Sequence, residues 1–77
     1  SMLVADQVEY PGPAIRRSLD TALKTDEDFT SFLMSYFPDA YQRKPSGERV
    51  GRVNLLLTLH EPAKVAKALL AHLKFPK

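Results

Sequence analysis

Asp28-Phe29-Thr30-Ser31-Phe32-Leu33-Met34-Ser35-Tyr36-Phe37, closed by Pro38-Asp39, is the stretch that decides how this chain folds. Phe29, Phe32, Leu33, Tyr36 and Phe37 recur at the i, i+3, i+4, i+7, i+8 spacing that lines one face of an α-helix. Thr25 is placed to accept from an N–H of the first turn, and Asp26, Glu27 and Asp28 put negative charge where the helix dipole favours it. Pro38 ends the run, because a proline ring has no amide hydrogen and clashes with the turn before it. Asp39 is then expected to cap a short turn through Ala40 and Tyr41 before Pro45 interrupts.

Working outward, the basic turn Arg43-Lys44-Pro45-Ser46-Gly47 leads into Arg49-Val50-Gly51-Arg52-Val53-Asn54-Leu55-Leu56-Leu57-Thr58-Leu59, a second helical run with Ser46 as its expected cap. Val50, Val53 and Leu57 form its strictest stripe, and Leu55, Leu56 and Leu59 widen the apolar surface, as in a helix contacted from more than one side. Gly51 costs a helix interior about 1 kcal/mol against alanine, which predicts that another backbone passes close by. Upstream, Pro13 suits a first helical position, and Ile15, Leu19, Ala22 and Leu23 predict a helix over about Pro13 to Leu23. Downstream, Glu61-Pro62 restarts the chain, and Val65, Ala68, Leu69, His72 and Leu73 line a last helix. Leu3 to Tyr10, with Val4, Val8 and Tyr10, suits a frayed helix or an extended lead-in, cut off by Pro11-Gly12. The pattern predicts an all-α fold, a compact antiparallel bundle of five to six short helices joined by short connections.

With 77 residues the chain makes one domain, small enough that folding buries only roughly 60% of the unfolded surface. Residues 1–12 read as a tag remnant, Ser1, with a lead-in; 13–74 as the helical interaction domain; 75–77 as the start of a linker. Pro76 then suggests the amino-terminal part of something longer. At 44% hydrophobic and 26% charged the composition is that of a folded soluble domain. The absence of cysteine excludes disulfide and thiolate chemistry, and a cytoplasmic location is expected. No apolar run approaches the roughly 20 residues of a membrane-spanning helix.

The sequence offers no catalytic apparatus. His60-Glu61 lacks the second histidine four residues on that a zinc-protease helix needs, since position 64 is Lys64, and His60 and His72 are too far apart in sequence to suggest a metal pair. Gly47 and Gly51 do not make a phosphate-cradling loop. Asp26, Glu27 and Asp28 lack calcium-loop spacing and an apolar wall that would raise a carboxyl pKa. No cofactor is implied, and the chain is not expected to be an enzyme.

Charge supplies the functional reading. Arg43 and Lys44 lie in the turn; Arg49 and Arg52, three apart, neighbour each other on the following helix and extend a basic patch. Arginines of this kind make bidentate, orienting contacts with carboxylates. The expected pairing sets Arg43, Lys44, Arg49 and Arg52 of one molecule against Asp20, Asp26, Glu27 and Asp28 of another, head to tail. On that expectation, charge reversal at Arg49 and Arg52 abolishes binding while helicity is unchanged.

Three segments together resemble the bacterial effector-associated domains, small helical modules of the death-domain-like superfamily. They are Ile15-x3-Leu19-x2-Ala22-Leu23, Asp28-Phe29-x2-Phe32-Leu33-x2-Tyr36-Phe37-Pro38, and Arg49-Val50-x2-Val53-Asn54-Leu55-Leu56-Leu57, within a likeness running from about Ala14 to Leu73. The resemblance implies a six-helix or degenerate five-helix bundle at one end of a multidomain protein. It further implies a non-enzymatic adaptor that pairs with a matching domain and recruits effectors such as proteases, NTPases, nucleases or TIR domains in bacterial conflict and defence signalling. The short middle helix broken by proline and the weak first segment depart from that pattern, and interface residues do not carry over between pairs. Self-association or a related helical domain is the expected partner, with no membrane. Two other readings stand beside it. One is a helix-turn-helix-like nucleic-acid binder, for which Asn54 is the sole base-reading side chain near the patch and the net charge is only +2. The other is a regulatory subunit of an unrelated enzyme.

Overall fold

A computed structural model describes residues 12–75, and within them the chain is helix joined by turns, with no strand. Five helices follow in order: α1 Gly12–Ala22, α2 Asp26–Tyr36, α3 Pro38–Arg43, α4 Arg49–Leu59 and α5 Pro62–Lys74. The lead-in from Leu3 to Tyr10, the tag remnant and the end of the expected linker lie outside the described residues.

Local chemistry sets most of these boundaries. Thr25 is extended, and its Oγ1 accepts from the Asp28 N–H at 3.0 Å, so the cap and the acidic first turn of α2 stand as the sequence predicts. Phe37 closes α2 by donating its N–H to the Leu33 carbonyl oxygen at 2.8 Å. Pro38 then opens α3, where its missing N–H costs nothing, and this helix reaches Arg43. Its N-cap residue is Phe37; Asp39 sits inside the helix and accepts from the Ala40 N–H at 2.8 Å. The expectation for Ser46 is also corrected. Gly47 adopts φ 113°, a left-handed turn that separates Ser46 from α4, and Glu48 occupies the N-cap position without a side-chain bond.

The interior draws on every helix. Ile15, Leu19 and Leu23 meet Phe29, Phe32, Leu33 and Phe37, with Ala40, Val53, Leu56, Val65 and Leu69 completing one continuous buried cluster. Phe32 is at its aromatic centre, 5.5 Å from the Tyr36 ring, 5.7 Å from Phe37 and 5.5 Å from the His72 imidazole. The interhelical approaches pair α2 with α3, α1 with α5, α3 with α4 and α2 with α5.

α4 sits differently from its expected stripe. Arg52, Val53 and Leu56 face inward, while Val50 is 65% exposed. The stem of an arginine has taken a place that periodicity reserves for an aliphatic side chain, which rotates Val50 outward. Gly51 has a different neighbour from the one expected. A Cβ there would come within 3.1 Å of Lys44 Cε, so the glycine admits a lysine side chain rather than another backbone. On α5, Leu73 lies at the surface although the pattern places it in the core stripe.

Thr25→Ala is expected to cost about 1 kcal/mol, the worth of a side-chain N-cap, with no change in folded helicity. Urea denaturation followed by circular dichroism measures it, and an unchanged midpoint would show that the cap bond contributes nothing.

Candidate interaction surface

The basic residues of the turn and α4 do not form one outward patch. Arg49 Nη1 donates to the Leu23 carbonyl oxygen at 2.5 Å and Nη2 donates to the Thr25 carbonyl oxygen at 2.7 Å. It therefore clasps the break between α1 and α2, satisfying a carbonyl that α1 leaves free at its end. Its remaining neighbours are carboxylates of its own chain, Asp26 at 3.6 Å and Asp20 at 3.8 Å. Arg52 is only 3% exposed. Its Nε donates to the Lys44 carbonyl oxygen at 3.3 Å and its Nη2 to Thr30 Oγ1 at 3.0 Å. Both guanidinium carbons lie over the Phe29 ring, at 5.1 Å for Arg49 and 5.2 Å for Arg52, where the ring's negative face attracts a cation.

The expected outward display of Arg49 and Arg52 is thus corrected: the fold uses both. Asp20 and Asp26, assigned to a partner's view, lie near Arg49 of the same molecule while their side chains stay 67% and 75% exposed. Arg43 and Gln42 remain exposed at the end of α3, and Lys44 is half-buried, its stem lying over Gly47 and Gly51. Glu27 and Asp28 are exposed and ion-paired to none of the described residues. Asp26 and Glu27 also border an open depression of about 410 Å³ between the start of α2 and the Pro45–Gly47 turn, with Arg52 at its floor. The mechanism of orientation proposed for the arginines therefore works inside the molecule, where planar guanidinium forks bridge three loop carbonyls that a lysine could not hold together.

Two further features went unread in the sequence. Arg16 Nη2 donates to Asn54 Oδ1 at 2.6 Å, linking α1 to α4 and occupying the amide offered for base reading. His60 Nε2 lies 3.0 and 2.8 Å from the two Asp39 carboxylate oxygens, with its ring centre 4.6 Å from that of Phe37. This contact ties the end of α4 to the start of α3. The hydrogen bond from His60 holds the Asp39 carboxyl below its ordinary value of 3.8, assisted by the Ala40 N–H. Among the described residues no three His, Asp or Glu side chains converge as metal ligands, and no helix is long and apolar enough to cross a membrane.

An open apolar concavity lies elsewhere. A groove of about 580 Å³ runs between α1 and α5, lined by Ala14, Arg17, Thr21, Leu69, Leu70 and Leu73 among others. Leu70 is 62% and Leu73 51% exposed. Comparisons with protein-family models, curated proteins and solved structures return no match to this chain.

Two outcomes follow from this geometry. Arg52→Glu puts a carboxylate against Phe29 among carbonyl acceptors and is expected to cost more than about 3 kcal/mol, enough to unfold much of so small a domain. Circular dichroism reads it, and native helicity at an unshifted melting temperature would refute the internal role. For Asp39, a depressed folded-state pKa stabilises the fold above the unfolded carboxyl value; that contribution disappears as the pH falls through the lower folded value. Carboxyl carbon NMR should give a midpoint below 3.8 that moves back up in His60→Ala.

Proposed function

We propose that this chain is a non-enzymatic interaction domain that pairs with a second copy of itself or with a related helical domain. The observation that carries this reading is how its chemistry-bearing side chains are distributed. Arg16, Arg49, Arg52 and His60 are engaged in holding helices together, whereas Met34, Leu70 and Leu73 are more than half exposed, the two leucines bordering the α1/α5 groove whose lining includes Arg17. A small domain gains little by exposing large aliphatic side chains, and an exposed apolar patch rimmed by polar groups is the usual anatomy of a docking surface. The resemblance to bacterial effector-associated domains supports the same reading. It extends it to a death-domain-like module that brings an attached effector to its partner in defence signalling in the cytoplasm.

The nucleic-acid alternative has less to support it. Arg52 is turned inward and Asn54 accepts from Arg16, so the face that would read base edges lacks its principal side chains. A regulatory subunit of an unrelated enzyme differs in predicting no self-association.

Sedimentation velocity from about 10 μM to about 1 mM tests the pairing, because contacts of modest area between transient partners fall in that affinity range. The weight-average mass should rise above the 8.7 kDa monomer with concentration and fall back as salt is added. A mass fixed at the monomer value throughout would overturn homotypic pairing.

A further inference from the structure

We infer that the α1/α5 groove is the receiving face of a head-to-tail contact, and that its occupant is the outer face of α2 from a second copy. This rests on the pairing proposed above and replaces the turn-and-α4 patch as the basic partner surface. Three observations carry it.

First, the groove is apolar and open, with Leu70 and Leu73 more than half exposed, and its lining includes Arg17 but no carboxylate. Second, the charge carried by its lining and by α5 is basic. α5, Pro-Ala-Lys-Val-Ala-Lys-Ala-Leu-Leu-Ala-His-Leu-Lys, contains no acid, and Lys67 and Lys74 flank Leu70 at the three- and four-residue spacings that put side chains on one helical face. Third, the same chain carries a surface of matching chemistry. Glu27, Ser31 and Met34 are exposed at i, i+4 and i+7 along α2, with Asp28 beside Glu27, so one face combines unpaired acid at its start with an apolar side chain at its end.

Met34, 54% exposed, supplies an adaptable apolar anchor for the groove, and Glu27 and Asp28 supply carboxylates for Arg17 and the α5 lysines. The two surfaces lie on different elements of one molecule. Each groove takes one α2 face, and in the contact we infer the two meet head to tail, so that it can repeat from molecule to molecule.

The heterologous arrangement gives a distinctive test by sedimentation velocity with the intact chain. Leu70→Asp destroys the groove and leaves the acidic face; Glu27→Lys/Asp28→Lys does the reverse. Each alone should associate about thirty-fold more weakly than wild type, the loss expected for a central anchor. Mixed together, the two variants should form a complex that stops at one copy of each, because only one competent groove and one competent acidic face remain to meet. Lys67→Glu, on an exposed position, is the second groove variant should Leu70→Asp lose helicity by circular dichroism, and it should weaken association in the same direction. If wild type associates but the groove variants associate equally well, this face is wrong while the interaction-domain reading stands. Failure of the mixed variants to pair, where wild type associates, also overturns it. A wild type that stays monomeric overturns both the contact and homotypic pairing; it is the outcome expected if the chain's own first eleven residues or an unrelated partner fills the groove.

Discussion

Phe29 and the two guanidinium groups over its ring determine how α4 joins the rest of the molecule. α4 makes close backbone approach to α3, buries Val53 and Leu56 in the common core, and is further attached by long side chains: Arg49 to the break between α1 and α2, Arg52 to Thr30, and Asn54 to Arg16. A guanidinium over an aromatic face in a desolvated setting is worth about 2 kcal/mol, a large share of what a domain this small can muster. The arrangement also supplies donors to carbonyl oxygens at a helix break, groups that would otherwise lose water without gaining a partner. Removing either arginine therefore does two kinds of damage at once, to the packing over Phe29 and to the satisfaction of the loop beneath it.

The sequence was most legible where a single side chain decides the outcome. Thr25 ahead of three acids, Pro38 after Phe37 and Pro62 after Glu61 each impose a boundary by local chemistry, and the structure has its boundaries there. The aromatic stripe of α2 was equally clear, because Phe29, Phe32, Leu33 and Phe37 leave no second face to bury. α4 was harder. Its run of leucines and valines is compatible with several rotations, and periodicity treats arginine as outward by default, although its three-methylene stem is as good a core filler as many aliphatic side chains. The candidate site suffered from the same convention. Nothing in Arg49-x2-Arg52 alone distinguishes an arginine that greets a partner from one that serves the interior, since the carbonyls that Arg49 caps and the Thr30 hydroxyl that Arg52 reaches are contributed by residues more than twenty positions away. A buried-arginine reading had one available signal, the Phe29 ring and the helix break at Leu23 to Thr25 needing donors.

Spending arginines on the interior changes which surfaces remain for other molecules. The acidic corner at the start of α2 is partly neutralised by Arg49, leaving Glu27 and Asp28 as the unpaired members. The opposite sign is concentrated on α5 and Arg17, beside the exposed Leu70 and Leu73. The molecule is consequently polar in the directional sense: acid at one helix start, base along another helix, and an apolar contribution at each. A distribution of this sort favours orientation-specific encounter over indiscriminate adhesion.

Lys44 gives the loop before α4 an unusual character. Its N–H is bound to the Ala40 carbonyl oxygen, its own carbonyl accepts from Arg52, and its stem lies across Gly47 and against Gly51. A turn held at its first residue by one backbone bond and one arginine donor, and covered by that residue's own side chain, has fewer conformations open to it than a free loop. A molecule that engages Arg43 to Ser46 meets a partly ordered segment, and that share of the ordering penalty which usually weakens recognition by loops is already met.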